Sequence, residues 1–318
     1  MRQFEMEKRT TRDAYGAAVF ELAKEDPSII AIGADTTHNI GLRDMTQAMP
    51  DRVIDVGIAE QNMMAVAAGL AATGMKVWGG SFAPFVSMRA LEQFRTFIAY
   101  PHLNVKMCGG MGGLSGSWEG VTHQSTEDMA IMRTIPGTTV VYPADTASTR
   151  AIVHALDRFP GPAYLRLGKV PFRRIVDDSY VFVPGKANLL EDGSDLTLIG
   201  CGATLARCLQ AKDLLAEKGI SARVLDMSCI KPLDKDAVCA AADETGAIVT
   251  VEEGSVIGGL GGAVAETLVQ YRPVPVKIVG VKDVFAETGE HEALMDKYGL
   301  SVADIVCAAQ EVLAKKKG

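Results

Sequence analysis

Three stretches of this 318-residue chain carry side chains able to do chemistry together. The first is Asp55-Val56-Gly57-Ile58-Ala59-Glu60-Gln61-Asn62-Met63, where a strand pattern gives way to a helix pattern and Glu60 falls in the first turn. Ligand sites in parallel sheets lie at such carboxyl ends of strands. A lone glutamate there is ordinarily explained by the helix N-terminal dipole, which favours an acid with no ligand present. The second stretch, Ser81-Phe82-Ala83-Pro84-Phe85, brings two aromatics three apart into a helix start, and such a pair is ordinarily core. The third runs Gly109-Gly110-Met111-Gly112-Gly113-Leu114-Ser115-Gly116-Ser117-Trp118-Glu119-Gly120-Val121-Thr122-His123-Gln124. Ordering so long a glycine-rich loop costs entropy that packing alone does not explain. In one another's company, an acid, two aromatics and a histidine read as a site with acid–base chemistry.

The elements that must position these residues alternate. Short β-branched runs at 28–33, 52–57, 76–79, 104–108, 138–142 and 163–167 predict strands. Helical patterns at 11–24, 59–73, 85–99 and 146–158 fall between them. That alternation signals parallel βαβ units. Residues 170 to 194 lack helical periodicity and carry Pro171, Pro184, Gly185 and an Asp177-Asp178 pair, which marks a domain boundary. A second α/β unit follows, with strands expected at 196–199, 223–226, 248–251 and 276–279. The predicted division is one domain over 1–175, a connector over 176–192 and a second domain over 193–318.

Composition narrows the function classes. Hydrophobic residues at 48% and charged residues at 22% fit a globular protein. A net charge of -7 argues against nucleic acid, whose phosphates call for a basic face. The one basic run, Lys315-Lys316-Lys317, reads as a helix end whose cations favour the C-terminal dipole. Six scattered cysteines with no CxxC pair read as core thiols in a reducing compartment, with no metal site expected. The charged start has no apolar stretch behind it, and the run from Met63 to Met75 is too short to cross a bilayer. The cytoplasm is the expected location.

Two glycine clusters invite a different reading. Gly200-Cys201-Gly202 after a strand, with Asp226 ending the next strand, approaches a dinucleotide fingerprint. Leu205 occupies the third glycine position and obstructs the close packing the motif needs. Gly258-Gly259-Leu260-Gly261-Gly262 before a helix suits either an anion at the helix N-terminus or tight packing.

The ordered set Gly-Ile-Ala-Glu-Gln-Asn-Met, Phe-x-x-Phe, Gly-Leu-Ser…Glu-Gly-x-Thr-His-Gln and Tyr-Leu-Arg resembles the C-terminal half of transketolases. Val251-Glu252-Glu253-Gly254 and the second glycine cluster resemble the transketolase C-terminal domain, so the likeness covers nearly the whole chain. The resemblance implies two doubly wound α/β domains, a thiamine-diphosphate pyrimidine-binding domain followed by a transketolase C-terminal-like domain. It implies that Glu60 hydrogen-bonds N1′ of the aminopyrimidine and that Phe82 and Phe85 pack on that ring. It places Asp35 near the cofactor at a subunit interface. His123 matches a histidine that contacts the donor ketose near its reacting carbons. Arg12 and Arg166 match arginines that bind the terminal phosphate, for which a planar guanidinium fork is suited. His38, Met111 and Glu119 fall at further substrate-binding positions.

Two departures bear on the substrate. Met111 stands where the family usually has a histidine, and Trp118-Glu119 replaces a Glu-Asp pair, so an altered sugar is expected. The Gly-Asp-Gly motif that holds Mg²⁺ and the diphosphate in this family is absent from the sequence. The resemblance therefore implies a partner chain, the N-terminal half, in a heterotetramer acting in carbohydrate metabolism of the pentose-phosphate kind. Three rivals stay open. One is the equivalent half of 1-deoxyxylulose-5-phosphate synthase or of a 2-oxoacid dehydrogenase β subunit. Another is a catalytically silent partner subunit, and the third a nucleotide-binding dehydrogenase.

Overall fold

The computed structural model describes residues 1–316, so Lys317 of the basic run lies outside them. Two parallel-rich sheets with helices around them form an α/β architecture. In chain order the strands are β1 (Met6–Thr10), β2 (Ile29–Gly33), β3 (Val53–Asp55), β4 (Lys76–Phe82), β5 (Val105–Gly110), β6 (Thr139–Val141) and β7 (Ala163–Arg166). They continue with β8 (Pro171–Arg173), β9 (Asn188–Glu191), β10 (Leu196–Gly200), β11 (Ala222–Asp226), β12 (Cys229–Lys231), β13 (Ile248–Ser255) and β14 (Val276–Val281). The first sheet runs β12-β6-β7-β5-β4-β2-β3, and the second β14-β13-β10-β11-β9.

Local chemistry sets the elements. β2 and β5 are almost wholly buried, as strands covered on both faces must be. Thr10 opens the helix Thr11–Glu25 with a capping box to Asp13, and Asp145 opens Thr146–Arg158 with one to Ser148. These two helices pack side by side against the first sheet, around Tyr15, Val19, Ile152 and Leu156.

The sequence pattern misses four strands. β1 and β8 pair antiparallel with each other; β9 and β12 are antiparallel edges of the two sheets. Edges of three to five residues carry too little alternation to announce themselves. Their placement changes the domain plan. β9 lies inside the stretch expected to be a connector and already belongs to the second sheet. β12 lies inside the expected second domain yet pairs with β6 in the first sheet.

The stretch expected as one helix over 85–99 is instead broken into wide turns. Phe85–Arg89 and Phe94–Ala99 are π-helical, with Leu91–Gln93 between them. Five-residue turns of this kind recur at functional sites because they re-aim side chains.

Candidate active site

The residues singled out above leave the sheet at one end. Asp35 and His38 follow β2, Glu60 follows β3, and Phe85 follows Phe82 at the end of β4. Met111, Glu119 and His123 lie on the loop after β5. This is the carboxyl edge of a parallel sheet, where loops and helix starts gather polar groups.

Glu60 is the first residue of the helix Glu60–Ala72, and only 2% of it is exposed. Its Oε2 accepts a hydrogen bond from Arg89 Nη1 at 3.0 Å, and its Oε1 lies 3.5 Å from Ser81 Oγ. Beside it the rings of Phe82, Phe85 and His123 form a triangle, with centroid separations of 5.8, 5.2 and 5.5 Å. His123 Nδ1 is 3.0 Å from Thr122 Oγ1. An internal carboxylate beside aromatic faces is the arrangement that fits a flat heterocycle with a basic ring nitrogen. The donor set therefore fits the pyrimidine end of thiamine diphosphate.

A second group gathers around Arg12. Its Nη1 donates to the carbonyl of Asn39 at 2.6 Å and its Nη2 to the carbonyl of Lys169 at 3.2 Å. Burial holds the Arg12 guanidinium below its ordinary value. The Lys169 ammonium is paired with Glu119. Against the cost of burial, that hydrogen bond keeps the Glu119 carboxyl below the usual range. Met111 is buried with a left-handed backbone (φ +60°), uncommon for a long side chain. Trp118 is 68% exposed at the loop's crest. His38 is exposed beside Asn39, and Asp35 is exposed with φ +58° and its N–H bonded to Asp55 Oδ1 at 2.8 Å.

The structure corrects the expectation for Arg166. Its guanidinium is 1% exposed and is filled by internal partners. It forms a two-pronged pair with Asp128, and it donates to the carbonyl of Glu253 at 2.5 Å and to that of Ser125 at 3.2 Å. Four of its five N–H groups are taken by these partners, and the enclosed side chain presents no open face to a sugar phosphate. It stitches the first domain to the second instead. Glu253, also internal, accepts from the Leu114 N–H at 2.6 Å and Tyr142 Oη at 2.8 Å, and lies 3.0 Å from His291 Nε2. Gly113, at φ +62°, has no room for a side chain, since a Cβ would lie 2.6 Å from the Glu253 carboxylate. The loop bearing His123 is thus bolted at its base to the second domain.

The glycine clusters serve packing. A Cβ on Gly202 would meet the Tyr142 ring at 2.0 Å, so that turn exists to admit a side chain of the other domain. The N-terminus of the helix Leu260–Tyr271 is occupied by the chain's own Glu252 carboxyl, whose Oε1 accepts from the Gly261 N–H at 2.9 Å. Asp226 is buried and bonded to Tyr180 and Ser228. Among the described residues no group of three or more His, Cys, Asp or Glu side chains could hold a metal ion, and no helix is long and apolar enough to cross a membrane. Two residues escaped sequence reasoning. Arg89 falls inside a stretch of helical pattern, and Lys169 follows Tyr-Leu-Arg with no nearby acid to mark its pairing.

Comparison with known proteins gives the family. Residues 7–173 match the family model for the transketolase pyrimidine binding domain, and residues 185–305 that for the transketolase C-terminal domain. The chain is 44% identical to the 6-deoxy-6-sulfo-D-fructose transketolase subunit SqwH of Clostridium sp. (strain MSTE9), over 99% of this chain and 98% of that one. It is 42% identical to one of the subunits of the apulose-4-phosphate transketolase of Phocaeicola vulgatus, over 96% and 97% of the two chains. A solved split gene transketolase, described as an inactive beta4 tetramer, superposes with a TM-score of 0.91 at 44% identity, covering 96% of this chain and 99% of that one. With both family models side by side on an α/β frame and relatives matched end to end, this chain belongs to the transketolase family, as a subunit of the split-gene kind.

Proposed function

We propose that this chain is the pyrimidine-binding half of a two-chain transketolase, moving a two-carbon ketol unit between sugar phosphates or related sugars. The observation that carries the reading is Glu60, an internal carboxylate at a helix start, beside the Phe82–Phe85–His123 triangle. When bound, thiamine diphosphate supplies the nucleophilic carbon chemistry. The chain's residues do the rest. Glu60 holds a proton or hydrogen bond at the pyrimidine N1′, and Phe82 and Phe85 clamp the ring and exclude water. His123 reaches the donor sugar from the loop side. Mg²⁺ and the diphosphate fall to a partner chain with the Gly-Asp-Gly motif, and Asp35 sits toward that partner.

Substrate choice is assigned to the second group. Arg12 donates to the Lys169 backbone carbonyl and the Lys169 ammonium pairs with Glu119, which gathers two cations and one carboxylate for a sugar bearing a terminal anion. The two relatives above are described as acting on a sulfonated and a phosphorylated sugar. Met111 puts an apolar side chain where the family usually has a histidine, which favours a terminal group other than that of the common pentose and hexose phosphates. The test is ketol transfer by the chain co-purified with its partner, with thiamine diphosphate and Mg²⁺. Xylulose 5-phosphate and 6-deoxy-6-sulfofructose are compared as donors. Activity requiring both chains supports the proposal; turnover by this chain alone, or a complex that binds no cofactor, overturns it. Preference for xylulose 5-phosphate sinks the altered-sugar part.

A further inference from the structure

Glu60 poses a physical problem for the chain by itself. A carboxylate out of water needs a charged or strongly donating partner, because an unpaired buried charge is strongly destabilising. The Ser81 hydroxyl at 3.5 Å is at the edge of hydrogen-bonding range. The partner is Arg89, 3.0 Å from Oε2.

The way Arg89 reaches Glu60 is informative. The π turn Phe85–Arg89, closed by the Ala90 N–H bonding the Phe85 carbonyl at 3.1 Å, brings Arg89 back over its own starting residue. The guanidinium carbon lies 4.1 Å from the centroid of the Phe85 ring. The Gln61 side chain donates to the Arg89 carbonyl at 3.2 Å and ties the turn to the helix that Glu60 begins. A flat cation therefore lies on Phe85 and directs an N–H at Glu60. Those are the two interactions that an aminopyrimidine seated here would make, a planar ring on Phe85 and a hydrogen bond with Glu60. Yet Arg89 is 49% exposed, so its outer half is free to leave.

We propose that Arg89 is a placeholder for the aminopyrimidine of the cofactor. It pairs with the Glu60 carboxylate and covers the Phe85 face until the cofactor arrives, and it then yields both. This rests on the reading of Glu60 as the acid that faces thiamine diphosphate. Apparent affinity falls with the fraction of molecules in which the competent state is populated, so an arm that must move weakens binding. Because the arm is half in solvent, the effect is modest.

The test measures thiamine diphosphate binding by calorimetry, in Mg²⁺, for complexes of the partner chain with wild type, Arg89→Met and Arg89→Lys. Arg89→Met removes the hydrogen bond and the charge but keeps bulk. It should bind about three- to tenfold more tightly than wild type, by that population argument, and without cofactor it should melt lower than wild type. Arg89→Lys keeps the charge without the flat guanidinium and should fall between the two. Affinity unchanged or weakened in both variants overturns the placeholder and leaves Arg89 a permanent partner of Glu60. A wild-type complex that binds no thiamine diphosphate overturns the reading of Glu60, and this inference with it.

Discussion

Among the described residues the same trio occurs twice, an arginine on an aromatic ring with a carboxylate at its fork. Arg89 lies 4.1 Å from the Phe85 centroid and pairs with Glu60; Arg166 lies 5.1 Å from the Tyr142 centroid and pairs with Asp128. The surroundings separate them. Arg166 is enclosed, Asp128 takes a further bond from Tyr164 Oη at 2.6 Å, and neighbouring Glu253 collects Leu114, Tyr142 and His291. Burial works against the charge on Arg166, but Asp128 outweighs it and holds the guanidinium above its ordinary value. At Glu60 one half-exposed arginine does the pairing. Residue type and contact geometry thus do not distinguish a site from a scaffold. The distinction lies in whether the donors and acceptors are exhausted internally.

That contrast can be broken at several points. Glu60→Gln in the two-chain enzyme should lower turnover about 10²–10⁴-fold, the range for a positioned acid–base group, while urea unfolding stays close to wild type. A large stability loss with turnover preserved would make Glu60 scaffold like Asp128. Arg166→Met should do the opposite kind of damage, destabilising by about 3–5 kcal/mol because it leaves Asp128 buried and unpaired. Urea denaturation reading a loss below about 1 kcal/mol would put Arg166 on a par with surface pairs.

A smaller effect concerns pH. Burial lowers His291, but the charge and hydrogen bond of Glu253 outweigh it, and Glu292 adds to them against Arg207, so its value stands above the ordinary 6.5. A raised histidine gives stability that is whole below the unfolded value and is lost as pH rises through the folded one. Glu253 is held below 4.5, so its share is lost only as pH falls through its folded value. Melting temperature should therefore decline as pH rises from about 6.5, and His291→Gln should flatten that slope. An unchanged slope in the variant would detach the pair from stability.

Much of this frame was legible. The strand–helix alternation shows in β-branched runs, and Glu60, Phe82, Phe85 and His123 are singled out by one another's company and by the family resemblance, not by any one position alone. What stayed hidden depends on contacts distant in sequence. Arg166 sits in the run Ala-Tyr-Leu-Arg with no local acid; Asp128 lies 38 residues away and Glu253 lies 87 away, so its interior role has no sequence mark. Arg89 lies four residues beyond Phe85, and a plain helix would also bring them near. That it reaches Glu60 depends on tertiary packing. The need for Gly202 is hidden for a similar reason, since it is set by the Tyr142 ring.

The strand β12 carries one more consequence, for modularity. It belongs by chain position to the second domain and by hydrogen bonding to the first, where it closes the sheet beside β6. A cut in the 174–187 connection would not release two self-sufficient units. The upstream piece would expose a raw sheet edge at β6, which invites edge-to-edge association. Recombination that swaps second domains between relatives must therefore transplant a matching strip of interface along with the fold.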